Sequence, residues 1–168
     1  MNSIHQPVLI VATVATALVA GLFYSWSCGI TQGLGKLSDG EYIRAMQSIN
    51  REIQRPWFFL SFMGTVVLLP LATWFARNGG HHESFLWLLA ASLCYLAGVF
   101  GVTVAGNVPL NEMLDKFITT AGSATTLSAD RLSFEPKWNR LNNIRTFFAI
   151  VALVASVIAC TRWHIIKT

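Results

Sequence analysis

Long windows without any charged residue constrain this chain more than any other feature of its sequence. Four such windows occur, at residues 2–35, 56–76, 84–111 and 146–161. A bilayer core about 30 Å thick needs roughly 20 apolar residues at about 1.5 Å of rise each. Lipid offers no partner for a bare peptide group, so segments that cross it must be helical. The sequence therefore predicts an all-α fold with four transmembrane helices.

The predicted spans cover about residues 8–29, 57–76, 85–106 and 145–163, and they form a single membrane domain over residues 1–168. An even number of spans alternates in direction and brings both termini to one side, which predicts an up-down bundle. The first window lacks the basic start of a signal peptide and is too long for one, so we expect it to be retained. Small residues recur at four-residue steps, which allows close packing within the bundle or in a homo-oligomer.

The distribution of basic residues predicts the orientation in the membrane. Nine Lys and Arg residues lie on the side of the two long loops, residues 30–56 and 107–144, and three lie on the side of the termini. The positive-inside rule therefore predicts cytoplasmic loops and termini on the opposite side. Because the charge is dispersed, we expect lipid headgroups and not nucleic acid as its counter-surface. The spans contain no carboxylate, which disfavours an ion or solute pathway.

The first long loop contains an amphipathic helix at about residues 39–55. Ser38 and Glu41 have the spacing of a capping box at its start. Apolar residues then recur at helical intervals and form one stripe, which consists of Tyr42, Met46, Ile49 and Ile53. Two interpretations follow: the helix lies on the headgroups, or it forms a lid over the loop-side mouth of the bundle.

Polar residues collect where the third and fourth spans reach the loop side. Trp138, Asn142 and Arg145 lie on one stripe of the fourth helix, and an arginine at this depth is expected to face the bundle interior. Pro109 lacks an amide proton, so the third helix is predicted to end near Asn107 with unpaired carbonyl groups. In the alternative, Arg145 is a structural anchor for those carbonyls. The cluster predicted at the mouth consists of Asn107, Asn111, Asn142 and Arg145.

Histidines and cysteines provide only weak indications of a site. The histidines lie on the terminal side and are His5, His81, His82 and His164. Their convergence would make an imidazole metal site, but no metal-ligand spacing supports one. The cysteines are Cys28, Cys94 and Cys160, on three different spans, and we predict that they are packing residues. No nucleotide-binding, metalloprotease or hydrolase motif occurs, so we expect no metal and no cofactor.

Four short motifs resemble the anthrone oxygenase-like family, which is also known as a domain of unknown function. They are Gly21-Leu22-Phe23, residues 42–50, Asn107-Val108-Pro109-Leu110-Asn111 and Trp138-x3-Asn142-x2-Arg145, spread over nearly the whole chain. The resemblance implies a four-helix membrane protein. For some members it implies oxidation of a polyketide anthrone to an anthraquinone by molecular oxygen, with no known cofactor.

This resemblance suggests a first hypothesis, an oxygenase for a lipophilic aromatic substrate that enters from the lipid. The predicted catalytic residues are Arg145, Asn107, Asn142 and Trp138, and the predicted substrate-binding residues are Asn111, Asn50, Arg55 and Tyr42. The polar groups would stabilise negative charge on the ring oxygen, and Glu112 or Asp115 is the nearest candidate base. A second hypothesis is a non-catalytic module that binds a lipid, a quinone or a partner protein. A third is a metal-binding membrane protein that uses the terminal-side histidines.

Overall fold

Five helices make up the regular structure of the described residues, 4–119 and 123–163, in the computed structural model. They are α1 (His5–Leu34), α2 (Asp39–Glu52), α3 (Pro56–Asn78), α4 (His82–Asp115) and α5 (Ala124–Arg162). All except α2 are long and apolar enough to cross a membrane. The structure confirms the all-α fold with four spans, and the chain is an integral membrane protein. The orientation of its loops stays a prediction.

The four long helices pack as a closed ring. Helix α1 contacts α3 and α5, and α4 completes the ring by contacting the same two helices. Small side chains allow the close approach, most clearly at Gly98, where an added Cβ atom would lie 2.1 Å from Cγ of Phe148. Hydrogen bonds also join neighbouring helices, such as the 2.9 Å contact between the hydroxyls of Thr73 and Ser92. The bundle is therefore held by close contact and a few buried hydroxyl groups.

Helix α2 is a lid on the loop end of the bundle, which is the end where α1 leads into α2 and α4 leads into α5. The predicted capping box of Ser38 and Glu41 is confirmed. The buried face of α2 packs against α5 and the last turns of α4. It consists of Gly40, Tyr42, Ile43, Met46, Gln47 and Asn50. Of the apolar stripe, Tyr42 and Met46 are buried by protein and Ile49 and Ile53 are half-buried, so the structure supports the lid interpretation.

Helix α4 does not end near Asn107, so that prediction was wrong. The backbone widens into π-helical turns over Thr103–Asn107, and a new α-helical stretch runs over Val108–Asp115. Pro109 lies in the first turn of this stretch, where no amide proton is required, and the helix continues past it. The helix therefore has no end at Asn107, and the row of unpaired carbonyl groups predicted there is not formed.

Most of the segment predicted as the second long loop is helical as well. Helix α5 begins at Ala124 and is 39 residues long, although the predicted span began only at residue 145. Its first half carries polar residues and lacks the apolar composition of a span, so composition alone does not distinguish it from a loop. Phe134 and Trp138 on this half pack with Tyr42, Met46 and Leu114 in a second core beneath the lid. This extension of α5 is the surface on which α2 rests.

Candidate functional site

A cavity of about 510 Å³ lies at the loop end of the bundle, and all five helices contribute to its wall. Its volume is within the range of sites that enclose drug-sized ligands. The wall combines aromatic rings with a few polar side chains. The aromatic residues are Phe23, Trp26, Phe58, Phe59, Phe62, Phe100 and Trp138, and the uncharged polar residues are Asn50, Gln54, Thr103, Asn107, Asn111 and Asn142.

Arg145 is the buried cation of this cavity, with only 6% of its surface exposed. One terminal nitrogen donates to Oδ1 of Asn142 at 3.1 Å, and the other reaches Oγ1 of Thr103 at 3.4 Å. Its guanidinium carbon lies 4.3 Å from the ring centre of Phe23 and 5.6 Å from that of Trp138. Within the described chain no carboxylate pairs with it, and its Nε has no hydrogen-bond partner. A guanidinium has five N–H donors, so several remain available to a ligand.

Asn142 is oriented by contacts with α1. Its Nδ2 donates to Oγ of Ser27 at 2.9 Å and to the carbonyl oxygen of Phe23 at 3.3 Å. Thr146 donates to the same carbonyl oxygen at 3.0 Å. These bonds leave Oδ1 of Asn142 to accept from Arg145. They occur beside a π-helical turn of α1 at Trp26–Ile30, and such turns are frequent at functional sites.

Two further asparagines bring unpartnered polar atoms to the cavity. Asn107 is 1% exposed, and neither Nδ2 nor Oδ1 has a partner among the described residues. Nδ2 of Asn50, on the lid, is also buried without a partner there. A buried polar group left unpaired costs about 1–3 kcal/mol, and nearly all such groups in proteins are hydrogen-bonded. These amides are therefore the groups most suited to bind the polar atoms of a ligand.

The structure brings six of the eight predicted site residues to this one cavity. They are Asn50, Asn107, Asn111, Trp138, Asn142 and Arg145. Trp138 and Asn111 also contact each other, because Nε1 of the indole donates to Oδ1 of Asn111 at 2.9 Å. The structure shows that these residues share one cavity, whereas their catalytic and binding roles stay predictions.

Tyr42 and Arg55 do not line the cavity. Tyr42 is on the first turn of the lid and points at the extension of α5, where the guanidinium carbon of Arg131 lies 4.4 Å from its ring centre. Burial raises the pKa of the Tyr42 hydroxyl, so the phenol stays protonated at neutral pH. Arg55 follows the lid, is exposed and pairs with Glu52. A position on or next to the lid does not determine the direction of a side chain, and the substrate-binding roles of these two residues stay predictions.

Several cavity residues were not predicted from the sequence. Phe58 and Phe62 stack, with ring centres 5.3 Å apart, and Phe62 lies 6.0 Å from Phe100 on the neighbouring helix. The four-residue spacing of Phe58 and Phe62 places both on one face of α3, so the sequence alone could have predicted that they lie together. The candidate bases Glu112 and Asp115 line the cavity too, and both are exposed.

Two of the terminal-side histidines stack on aromatic rings. His5 stacks on Phe75 and His81 on Trp163, with ring centres 4.3 Å apart in both cases. In the described part of the chain, no group of three or more His, Cys, Asp or Glu side chains is arranged to hold a metal ion. His164 lies outside the described residues. The three cysteines are free thiols.

Comparison with known proteins identifies one family. The family model described as Anthrone oxygenase matches residues 57–155. This stretch includes α4 completely, nearly all of α3 and much of α5, and it therefore contains Asn107, Asn142 and Arg145. No curated protein and no solved structure matches the chain.

Proposed function

Because this chain belongs to the anthrone oxygenase family, we propose that its cavity oxidises a lipophilic, anthrone-like aromatic compound with molecular oxygen and without a cofactor. The observation that carries the proposal is a buried guanidinium that lies among aromatic rings and has no carboxylate partner among the described residues. Fixed positive charge in a site of low dielectric stabilises an oxyanion far more than it would in water.

The aromatic wall supports a planar, lipophilic substrate. Helix α3 packs against His82–Leu93 and Cys94–Gly101 of α4, which lie nearer the terminal end. Towards the loop end, the cavity residues Phe59, Met63 and Val104 are exposed on the outer surface of the bundle. A compound dissolved in the bilayer would therefore reach the cavity sideways, between α3 and α4.

In the first step of the proposed reaction, a base removes a proton from the methylene carbon of the anthrone. The electron pair moves to the ring oxygen, which becomes an enolate. Arg145 and the side-chain nitrogen of Asn107 would donate hydrogen bonds to this oxygen and lower the barrier to its formation. Asn142 would hold the guanidinium in place through its 3.1 Å contact.

In the second step, the enolate carbon gives an electron pair to molecular oxygen, and the new C–O bond yields a peroxide that takes up a proton. Loss of the remaining proton from that carbon then forms the second carbonyl and breaks the O–O bond, with release of hydroxide. The proton on the peroxide is the one that the base removed in the first step, and the hydroxide takes the second proton and becomes water. Anthrone and one oxygen molecule thus yield anthraquinone and one water.

Glu112 is the better candidate for the base. Asp115 accepts two hydrogen bonds from Arg51, at 3.0 and 3.2 Å, so one of its carboxylate oxygens is already engaged by a protein partner. No ion pair is found for Glu112 among the described residues. We therefore expect Glu112→Gln to reduce turnover far more than Asp115→Asn.

The test is oxygen consumption by the purified, detergent-solubilised protein with an anthrone, corrected for spontaneous oxidation without protein. Arg145→Ala should abolish the excess consumption, because the oxyanion loses its cation, whereas Arg140→Ala should not. Arg140 is an exposed arginine on the same helix and is not a cavity residue. Thermal unfolding shows whether each variant is folded. Equal consumption with and without the wild-type protein would refute the proposal.

A further inference from the structure

We infer that the cavity takes up its aromatic ligand as an anion, with an ionised phenol oxygen against Arg145 and Asn107. This inference rests on the proposed function for the kind of ring system. It goes further by assigning a charge to the ligand before any reaction with oxygen.

The first observation is the balance of charge in the cavity wall. Its charged residues are Arg51, Glu112, Asp115 and Arg145, and neither α1 nor α3 contributes any. Arg51 and Asp115 pair with each other at 3.0 Å and are largely exposed, so solvent screens them. Glu112 is exposed at the rim. Arg145 is therefore the one charge that is both buried and uncompensated among these wall residues.

The second observation is the excess of hydrogen-bond donors over acceptors. Four buried polar wall atoms have no partner in the part of the chain that the structure describes: Nε of Arg145, Nδ2 of Asn107, Nδ2 of Asn50 and Oδ1 of Asn107. Three of these are donors and one is an acceptor. A phenolate oxygen only accepts, and it suits such a wall. A neutral phenol could give its one proton to that amide oxygen, but it would leave the buried charge of Arg145 without a counter-charge.

The consequence is a shift in the ionisation of the bound ligand. Burying a cation without a counter-charge is costly, and an anionic ligand would provide that charge. The cavity should therefore bind the phenolate more tightly than the phenol, and the pKa of the phenol should fall on binding. A fall of one pH unit corresponds to about tenfold tighter binding of the anion.

The experiment uses a monohydroxyanthraquinone, because its absorption moves to longer wavelength when the phenol ionises. Its absorbance is titrated against pH in neutral detergent micelles alone and in the same micelles with the full-length protein. We expect the midpoint of the dye's ionisation to lie at least one pH unit lower with the wild-type protein, which corresponds to about tenfold tighter binding of the anion. Arg145→Met should lose this shift, Arg145→Lys should keep part of it, and Arg140→Met should keep all of it.

An unchanged or raised ionisation midpoint with the wild-type protein would overturn the inference, as would failure of the dye to bind. If Arg145→Met does not fold, the wild-type and Arg145→Lys titrations decide the matter. Oxygen consumption is measured separately on the same samples. Turnover without the shift would reject the anionic ligand and keep the oxygenase, and the shift without turnover would do the reverse.

Discussion

The attachment of the lid to α5 depends on Arg131, and its removal should release the lid. Arg131 is 14% exposed and forms four hydrogen bonds or ion pairs: one with the lid, two with the segment just before the lid and one within its own helix. Its acceptors are the carboxylates of Asp39 and Glu135, at 3.0 and 2.6 Å, and the carbonyl oxygens of Gly35 and Leu37, at 3.0 and 2.9 Å. It also covers the ring of Tyr42. One side chain thus joins three parts of the loop end.

The magnitude follows from burial. Breaking a buried ion pair costs about 3–5 kcal/mol, because one charge is left without a partner. Asp39 is 37% exposed, so water recovers part of that loss, and we expect Arg131→Met to cost about 2–3 kcal/mol. At about 1.4 kcal/mol per factor of ten, this raises the equilibrium population of the open lid by roughly 30- to 150-fold.

The assay is hydrogen exchange of the α2 amides in the detergent-solubilised protein. The matched control is Arg51→Met, which removes a second ion pair between the lid and α4. Arg51 is 62% exposed, and an exposed pair contributes about 0–1 kcal/mol, so exchange should rise by no more than about fivefold. Equal acceleration by the two variants, or acceleration by neither, would refute the reasoning that burial of Arg131 holds the lid.

Three further predictions concern the bundle and the cavity. Asn142→Ala should reduce turnover by about 100-fold while the protein stays folded, because Arg145 loses its orienting acceptor; oxygen consumption and thermal unfolding measure the two effects. Gly98→Ala should destabilise the protein by about 1–3 kcal/mol through overpacking, whereas Gly21→Ala should not, because the space around its added Cβ is open. Thermal unfolding compares the two variants, and equal midpoints would contradict the close packing at Gly98. Val104→Trp should lower kcat/KM for a lipophilic anthrone several-fold by narrowing the opening between α3 and α4, and a rate equal to wild type would argue against entry from the bilayer.

Some features of the cavity could be predicted because they depend on one helix at a time. Trp138, Asn142 and Arg145 share a face at any helical geometry, and an arginine near the membrane must turn inward. The meeting of Asn107 with this face was harder to predict. The predicted helix end near Asn107 was wrong. The helix continues, and its π-helical turns over Thr103–Asn107 place Asn107 at the cavity.

The sequence by itself determined the four spans, the capping box and the polar stripe of α5. Each of these follows from the solvation or hydrogen bonding of a single segment. Only the tertiary structure decided which helix faces meet, how the lid is seated and which phenylalanines form the cavity wall. The physical reason is that lipid is as apolar as a protein core. On α1, Leu18 is exposed and Val19 is buried, so hydrophobicity alone does not distinguish the outer face of a membrane helix from the inner one.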